Sequence, residues 1–183
     1  MRKKLLWITE TAIMLALLVA LQALTKPMGQ LVTGSCVNAV LAVSALVGGM
    51  GCGLTVAGIS PILAYLLGIA PQILTVPAIM VGNAVYAVLL NVLADKTGKN
   101  LVKQAIAWMV AAAAKFAALY LIVVKIICGV LSESLLAAGT LKAPMLKALP
   151  ATFSWPQLFT ALIGGAVALL IVPVIRKALH KNF

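Results

Sequence analysis

Long apolar runs, separated by short polar segments, constrain this sequence more than any other feature. The first run extends from Leu5 to Leu24 and follows the basic residues Arg2, Lys3 and Lys4. A helix needs about 20 apolar residues, at about 1.5 Å each, to cross a hydrocarbon core about 30 Å thick. The run is longer than the roughly 7–15 residues of a signal peptide, and no small-x-small cleavage site follows it. It therefore predicts an uncleaved membrane helix.

The same pattern recurs along the chain and predicts one all-α domain over residues 1–183, a compact bundle of six transmembrane helices. Proline and glycine clusters separate the runs, as these residues interrupt helices. Pro61 predicts a kink or a late start in the third run, and the fifth run is long enough to tilt. The predicted helices cover residues 5–24, 32–47, 54–67, 74–93, 104–131 and 156–175.

Composition supports lipid as the solvent of this chain. Only 9% of the residues are charged and 64% are hydrophobic, whereas a soluble domain has roughly 25% charged residues. The net charge of +11 comes mainly from Lys and Arg in the short segments between apolar runs. That placement orients membrane proteins, so it argues against nucleic-acid binding.

The distribution of basic residues predicts that both termini lie in the cytosol. Six spans place the two termini on one side, and basic residues concentrate on the cytosolic side. With that orientation the outer segments hold only Lys26, Lys142 and Lys147. The inner segments hold nine basic residues: Arg2, Lys3, Lys4, Lys96, Lys99, Lys103, Arg176, Lys177 and Lys181.

Motifs for ATP hydrolysis and for common catalytic chemistry are absent from the sequence. It contains no GxxxxGK[ST], HExxH or GxSxG motif, so it predicts no Walker-type ATP site. The acids Glu10, Asp95 and Glu133 fall in different regions, which disfavours a mid-membrane proton relay. We therefore expect neither an enzyme nor a self-powered, proton-coupled transporter.

Cysteine and histidine usage predicts no metal site and no bound cofactor. Cys36, Cys52 and Cys128 are scattered, and His180 is the single histidine. Metal ligation needs more ligands at closer spacing. The cysteines are interpreted as small apolar fillers within helices.

Ala12, Ala16 and Ala20 recur at a spacing of four in the first run. Residues at that spacing share one face of a helix, and small residues let a second helix approach closely. The stripe could serve a partner subunit or packing within this bundle. Gly164 and Gly165 in the last run also predict close helix packing.

A chain of 19.0 kDa with six spans, a basic N-terminus and this alanine motif resembles the substrate-binding S component of an energy-coupling factor (ECF) transporter. The resemblance implies that Ala12, Ala16 and Ala20 dock on a transmembrane coupling subunit. It also implies that two ATPase subunits supply the energy. The substrate would be a vitamin or related micronutrient, taken up across a prokaryotic plasma membrane.

In that family the ligand occupies the outer half of the bundle, within helices four to six and the loop after helix one. The resemblance thus implies a binding role for Asn83 and Tyr86, which share a face of helix four. Asn38 on helix two is a similar carboxamide, and we expect the same role for it. Buried carboxamides need hydrogen-bond partners. Those partners could be a ligand or the neighbouring helices.

Two lysines lie in the fifth run, Lys115 near its middle and Lys125 near its outer end. Neither has a carboxylate at its predicted depth, which favours an anionic ligand, with snorkelling to water as the alternative. Trp155 and Gln157 open the last helix and are expected to contact the ligand, with interfacial anchoring the alternative for the Trp ring. The loop Lys26–Gly34 would form the lid, with glycine providing backbone freedom.

Two other classes of protein remain open at this point. A self-sufficient small permease or channel would work as an oligomer without an ATPase. A membrane scaffold would bind no metabolite. Reconstitution without partners separates the first class from an S component, and ligand screening separates the second.

Overall fold

A computed structural model describes residues 2–69, 72–95 and 100–179. The structure is 89% helical, and the described residues contain no strand. The α-helices are α1 Arg2–Thr25, α2 Gln30–Val47, α3 Gly49–Leu66, α4 Val76–Leu93, α5 Leu101–Leu119, α6 Ser132–Ala137, α7 Ala143–Thr152 and α8 Trp155–Ala178. Single 3-10 turns, Lys26–Met28 and Ile73–Thr75, precede α2 and α4, and a π-helix, Tyr120–Val130, continues α5.

Six helical segments among the described residues have the length and hydropathy to cross a membrane. They are Lys4–Met28, Gln30–Val47, Gly49–Leu66, Ile73–Leu93, Leu101–Val130 and Ala143–Ala178. The prediction of an all-helical, multi-pass membrane protein is confirmed. The side on which the termini lie stays a prediction, and of the basic residues behind it Lys96, Lys99 and Lys181 fall outside the described residues.

The main core surrounds α2, which packs against α1, α3, α4 and α8. Its second half is buried almost completely over residues 40–46. Gly164 of α8 lies against the α2 backbone, where an added Cβ atom would come within 2.6 Å of Asn38 Cβ. The predicted close packing at this glycine is confirmed.

Short connections make successive spans antiparallel, so the bundle has two distinct ends. We call the end that carries residues 26–29, 67–69, 72–75 and 131–154 the distal end. The opposite end carries residues 47–49 and the described residues nearest both termini. At the distal end, Lys26 Nζ donates a hydrogen bond of 2.6 Å to the Gly68 carbonyl oxygen. At the opposite end, Arg176 donates one of 2.6 Å to the Leu46 carbonyl oxygen at the end of α2.

The segment between the fifth and sixth predicted spans forms α6 and α7 and a second small core. α7 packs against the π-helix. Pro144 opens α7, where its missing N–H removes no helical hydrogen bond. The buried members of this core are Ala78, Leu119, Val123, Ile127, Leu141, Leu149 and Phe153.

Candidate functional site

A cavity of about 170 Å³ lies in the distal half of the bundle. Each of the six spans contributes at least one polar side chain to its wall, among them Gln22, Asn38, Ser60, Asn83, Lys115 and Gln157. Six apolar side chains also line it: Val37, Pro61, Ala64, Ile69, Ile79 and Phe153. Lys26, Gly29 and Gln30, from the connection between α1 and α2, line it as well.

Lys115 is the buried cation of this cavity, with 3% of its surface exposed. Its Nζ atom donates hydrogen bonds to Asn38 Oδ1 at 2.5 Å and to Asn83 Oδ1 at 2.7 Å. The Asn38 amide nitrogen donates to the Gly34 carbonyl and to Thr160 Oγ1. Because that nitrogen is engaged elsewhere, the Asn38 oxygen is presented to the lysine.

Tyr86 supports the lysine from outside the cavity. Its ring centroid lies 5.5 Å from Lys115 Nζ, within the range of a cation–π contact. The side chain is fully buried, and its hydroxyl donates to the Ala161 carbonyl oxygen at 3.2 Å. Tyr86 shares a helix with Asn83, as predicted, yet it does not line the cavity.

No carboxylate lines the cavity. The chain has three acids, Glu10, Asp95 and Glu133, and all three lie within the described residues. None is a wall residue. Glu10 precedes Gln22 by twelve residues on α1, and Asp95 follows Asn83 by twelve, a separation of about 18 Å along a helix axis. Among the described residues, Lys115 therefore has only neutral oxygens as hydrogen-bond partners, and the cavity wall holds no counter-ion for it.

Two wall atoms have no hydrogen-bond partner among the described residues: Ser60 Oγ and Gln22 Oε1. Ser60 is 1% exposed, so water at the protein surface does not reach its hydroxyl. A buried polar atom without a partner is costly and calls for an explanation. Both atoms belong to a cavity large enough for a small molecule.

Gln157 and the two distal connections complete the site. Gln157 Nε2 donates to the Thr152 carbonyl oxygen at 3.3 Å and so ties α8 to the end of α7. The Lys26–Gly68 bond joins the α1–α2 connection to the segment after α3. Gly29 has a φ of 88°, in the region that favours glycine, and it makes the turn into α2.

Lys125 and Trp155, which the sequence analysis also placed at the ligand, lie outside this cavity. Lys125 is exposed, and its Nζ lies 5.7 Å from the Tyr120 ring centroid. Trp155 is 63% exposed and stacks on Phe116, with ring centroids 5.7 Å apart. These positions suit an interfacial ring and a lysine at the membrane surface.

Gln22 and Ser60 are wall residues that the sequence analysis did not select. Each is a polar residue inside an apolar run, and Ser60 precedes the intrahelical Pro61. A polar residue isolated in an apolar run was the only sequence signal for these two positions. That signal does not identify a cavity residue, because Thr and Ser also occur in these helices bonded to their own backbone, as Ser44 is to the Val40 carbonyl.

Ala12, Ala16 and Ala20 are all exposed on α1. Several large apolar side chains of the same helix are exposed as well, among them Ile13 at 56% and Leu17 at 45%. The alanine stripe therefore does not pack within this bundle. It lies on a surface that faces lipid or another protein.

Comparison with known protein families, characterised proteins and solved structures finds no match for this chain.

Proposed function

We propose that this chain is the substrate-binding membrane subunit of an ECF-type importer and captures a small anionic micronutrient in the distal cavity. The observation that carries the proposal is the buried Lys115 ammonium in a cavity without a carboxylate. An ammonium makes up to three hydrogen bonds, and Lys115 makes two among the described residues, both to neutral oxygens. A ligand anion would supply the missing charge.

In this proposal the distal end faces outward and both termini lie in the cytosol. The supporting observation is the charge asymmetry of the connecting and terminal segments. Among the described residues, the opposite end has six basic residues, Arg2, Lys3, Lys4, Lys103, Arg176 and Lys177, and the distal end has three, Lys26, Lys142 and Lys147. A cavity in the distal half is then reached from outside the cell. The chain has no ATP-binding motif, so energy for inward release would come from partners.

The exposed alanine stripe on α1 supports a docking role. Ala12, Ala16 and Ala20 leave a smooth helical surface that a transmembrane coupling subunit could approach closely. Two ATPase subunits would bind that coupling subunit. The resemblance in the sequence assigns this stripe to the same partner.

Replacing Ala16 with Trp tests the proposal. The side chain points away from the bundle, so we expect unchanged folding and ligand binding, with loss of uptake in vesicles that contain the partner subunits. Ala113→Trp is the matched control, because Ala113 is an exposed alanine on another span, α5. It should retain uptake.

Uptake by vesicles that contain only this chain would contradict the proposal and favour a self-sufficient permease. Equal uptake by the Ala16→Trp and Ala113→Trp variants would contradict the docking role.

A further inference from the structure

The wall of the cavity has two polar sets with different requirements. The first is Lys115 with its carboxamide partners Asn38 and Asn83, which carries a positive charge. The second is Ser60 Oγ with Gln22 Oε1, which is neutral and unpaired. Six of the other wall side chains are apolar, and the polar ones are Lys26, Gln30, Thr33, Thr152 and Gln157. A complementary ligand needs one anionic group, an apolar body and one hydrogen-bonding group.

We propose that the ligand is a compact monocarboxylate that carries one O–H or N–H group. Its carboxylate pairs with Lys115, and its donor group bonds to Gln22 and Ser60. This inference rests on the proposed function, because it takes the cavity to be the substrate site. It adds the charge, size and hydrogen-bonding pattern of the substrate.

The expected charge of the ligand follows from Lys115, the one buried cation among the wall residues. Lys115 neutralises one negative charge, and a second one in this desolvated wall would be unpaired, at large cost. The other lysine of the cavity, Lys26, is exposed and bonded to the Gly68 carbonyl. A monoanion is therefore favoured over a dianion such as phosphate.

The donor group follows from the chemistry of the unpaired atoms. Gln22 Oε1 is a carbonyl oxygen and can only accept, so its partner must bring an O–H or N–H. The Ser60 hydroxyl can accept from the same group or donate to it. A ligand without such a group leaves Gln22 Oε1 unpaired.

The size follows from the volume of about 170 Å³. A dry cavity of about 150 Å³ holds one benzene ring. The cavity thus accepts one substituted ring or a short branched chain, and it excludes compounds with several fused rings.

The first experiment measures binding of ring monocarboxylates to the detergent-purified chain by calorimetry and thermal shift. The probes are benzoate, 3-hydroxybenzoate and pyrrole-2-carboxylate, each beside its uncharged carboxamide, with inorganic phosphate as a dianion. We expect each carboxylate to bind at least about tenfold more tightly than its amide, the factor for one charge-assisted hydrogen bond. Equal binding of amides and acids, tighter binding of phosphate, or no binding by any probe would overturn the inference.

Lys115→Met tests the anchor, since methionine keeps much of the side-chain length and removes the charge. We expect loss of carboxylate binding and of the preference over the amide. Lys103→Met, an exposed lysine at the other end of α5, is the control and should bind as the parent does. Retained preference in a folded Lys115→Met variant would overturn the inference.

Ser60→Ala removes one of the two neutral unpaired groups of the wall and leaves Lys115 unchanged. We expect the variant to bind benzoate as the parent does and to show a smaller preference for 3-hydroxybenzoate over benzoate than the parent, because only Gln22 remains to pair with the ligand hydroxyl. Ser44→Ala is matched, because Ser44 is equally buried, lies outside the cavity and already donates to the Val40 carbonyl at 2.7 Å. An unchanged preference in Ser60→Ala, or its loss in Ser44→Ala, would count against the inference.

Failure of this inference differs measurably from failure of the proposed function. A neutral, cationic or multi-ring ligand whose uptake still requires the partner subunits would overturn the inference alone. Uptake by vesicles lacking those subunits would overturn the proposed function, whatever the ligand.

Discussion

Lys115 occupies the middle of a membrane span, where an ammonium is costly unless other groups solvate it. Here two carboxamide oxygens, from Asn38 and Asn83, and the face of the Tyr86 ring replace water. Each group comes from a different helix or a different turn. The hydrogen bonds of Lys115 therefore form only when α2, α4 and α5 are correctly packed. Their contribution to the free energy of unfolding reports on that packing.

A double-mutant cycle on Asn83 and Lys115 tests this dependence. We expect Asn83→Ala to lower the free energy of unfolding by about 1.5–3 kcal/mol, because a buried ammonium loses one of two hydrogen bonds. In a Lys115→Met background the same change should cost at least about 1 kcal/mol less. The measurement is reversible unfolding of the ligand-free chain in detergent.

Asn91→Ala provides the control for that cycle. The Asn91 amide donates to the Ala45 carbonyl at 2.8 Å and does not contact the lysine. Its effect should add to that of Lys115→Met. If the effects of Asn83→Ala and Lys115→Met on the free energy of unfolding simply add, the contact between Asn83 and Lys115 contributes nothing to stability.

Sequence reasoning could select Asn38 and Asn83 as carboxamides inside apolar runs and Gln157 from its place at the start of the last helix, but the same reasoning missed Gln22. It could not rank Lys115 above Lys125. Position along a run gives the depth of a side chain, whereas the helix face that meets the cavity depends on how neighbouring helices pack. Tyr86 illustrates the same limit of sequence reasoning. It shares a helix face with Asn83, but its ring contacts Lys115 from outside the cavity wall.

At the scale of elements, the close approach of α2 and α8 fixes the position of Asn38. Gly164 permits this approach, since a Cβ atom there would overlap both the α2 backbone and Asn38 Cβ. The Asn38 amide also donates to Thr160 of α8 at 3.2 Å. Helix packing and the orientation of a cavity side chain are thus coupled.

Gly164→Ala should destabilise the chain by about 1–3 kcal/mol, as expected for overpacking, although alanine favours helix by about 1 kcal/mol over glycine. Gly58→Ala on α3 is the matched control, because a Cβ there meets only Met80 Cε at 3.9 Å. It should be neutral or stabilising by up to about 1 kcal/mol. Thermal unfolding of the two variants side by side checks both values, and equal melting temperatures would refute the packing argument.

The six spans were predictable because lipid demands long apolar helices whatever their neighbours. The helices α6 and α7 were not, since they are short and their stability comes from packing on the π-helix rather than from a periodic pattern. Phe153, at the end of that segment, lines the cavity and belongs to the second core. The segment between the fifth and sixth predicted spans is therefore part of the site.

On the scale of the whole molecule, the two ends of the bundle differ in charge and in chemistry. The distal end has the cavity and few basic residues, and the opposite end has most of the basic residues that the structure describes. Membrane insertion follows such asymmetry. The orientation that places the cavity outward is therefore open to direct measurement.

Single cysteines in a background with the three native cysteines replaced by alanine test the orientation. Lys142→Cys, exposed at the distal end, should react with a membrane-impermeant maleimide in intact cells. Lys103→Cys, exposed at the opposite end, should react only after permeabilisation. The reverse pattern would place the cavity toward the cytosol.

The first helix, α1, is largely exposed on its outer surface and also contributes to the cavity wall. Only 11% of its most apolar stretch is buried, yet it supplies Gln22 to the cavity wall and leads directly into Lys26. A protein that contacts the outer surface of this helix would therefore touch the same element that carries one polar side chain of the ligand chamber. Leu18 of the same helix is fully buried in the core around α2, so such a contact would also act on the packing of the bundle.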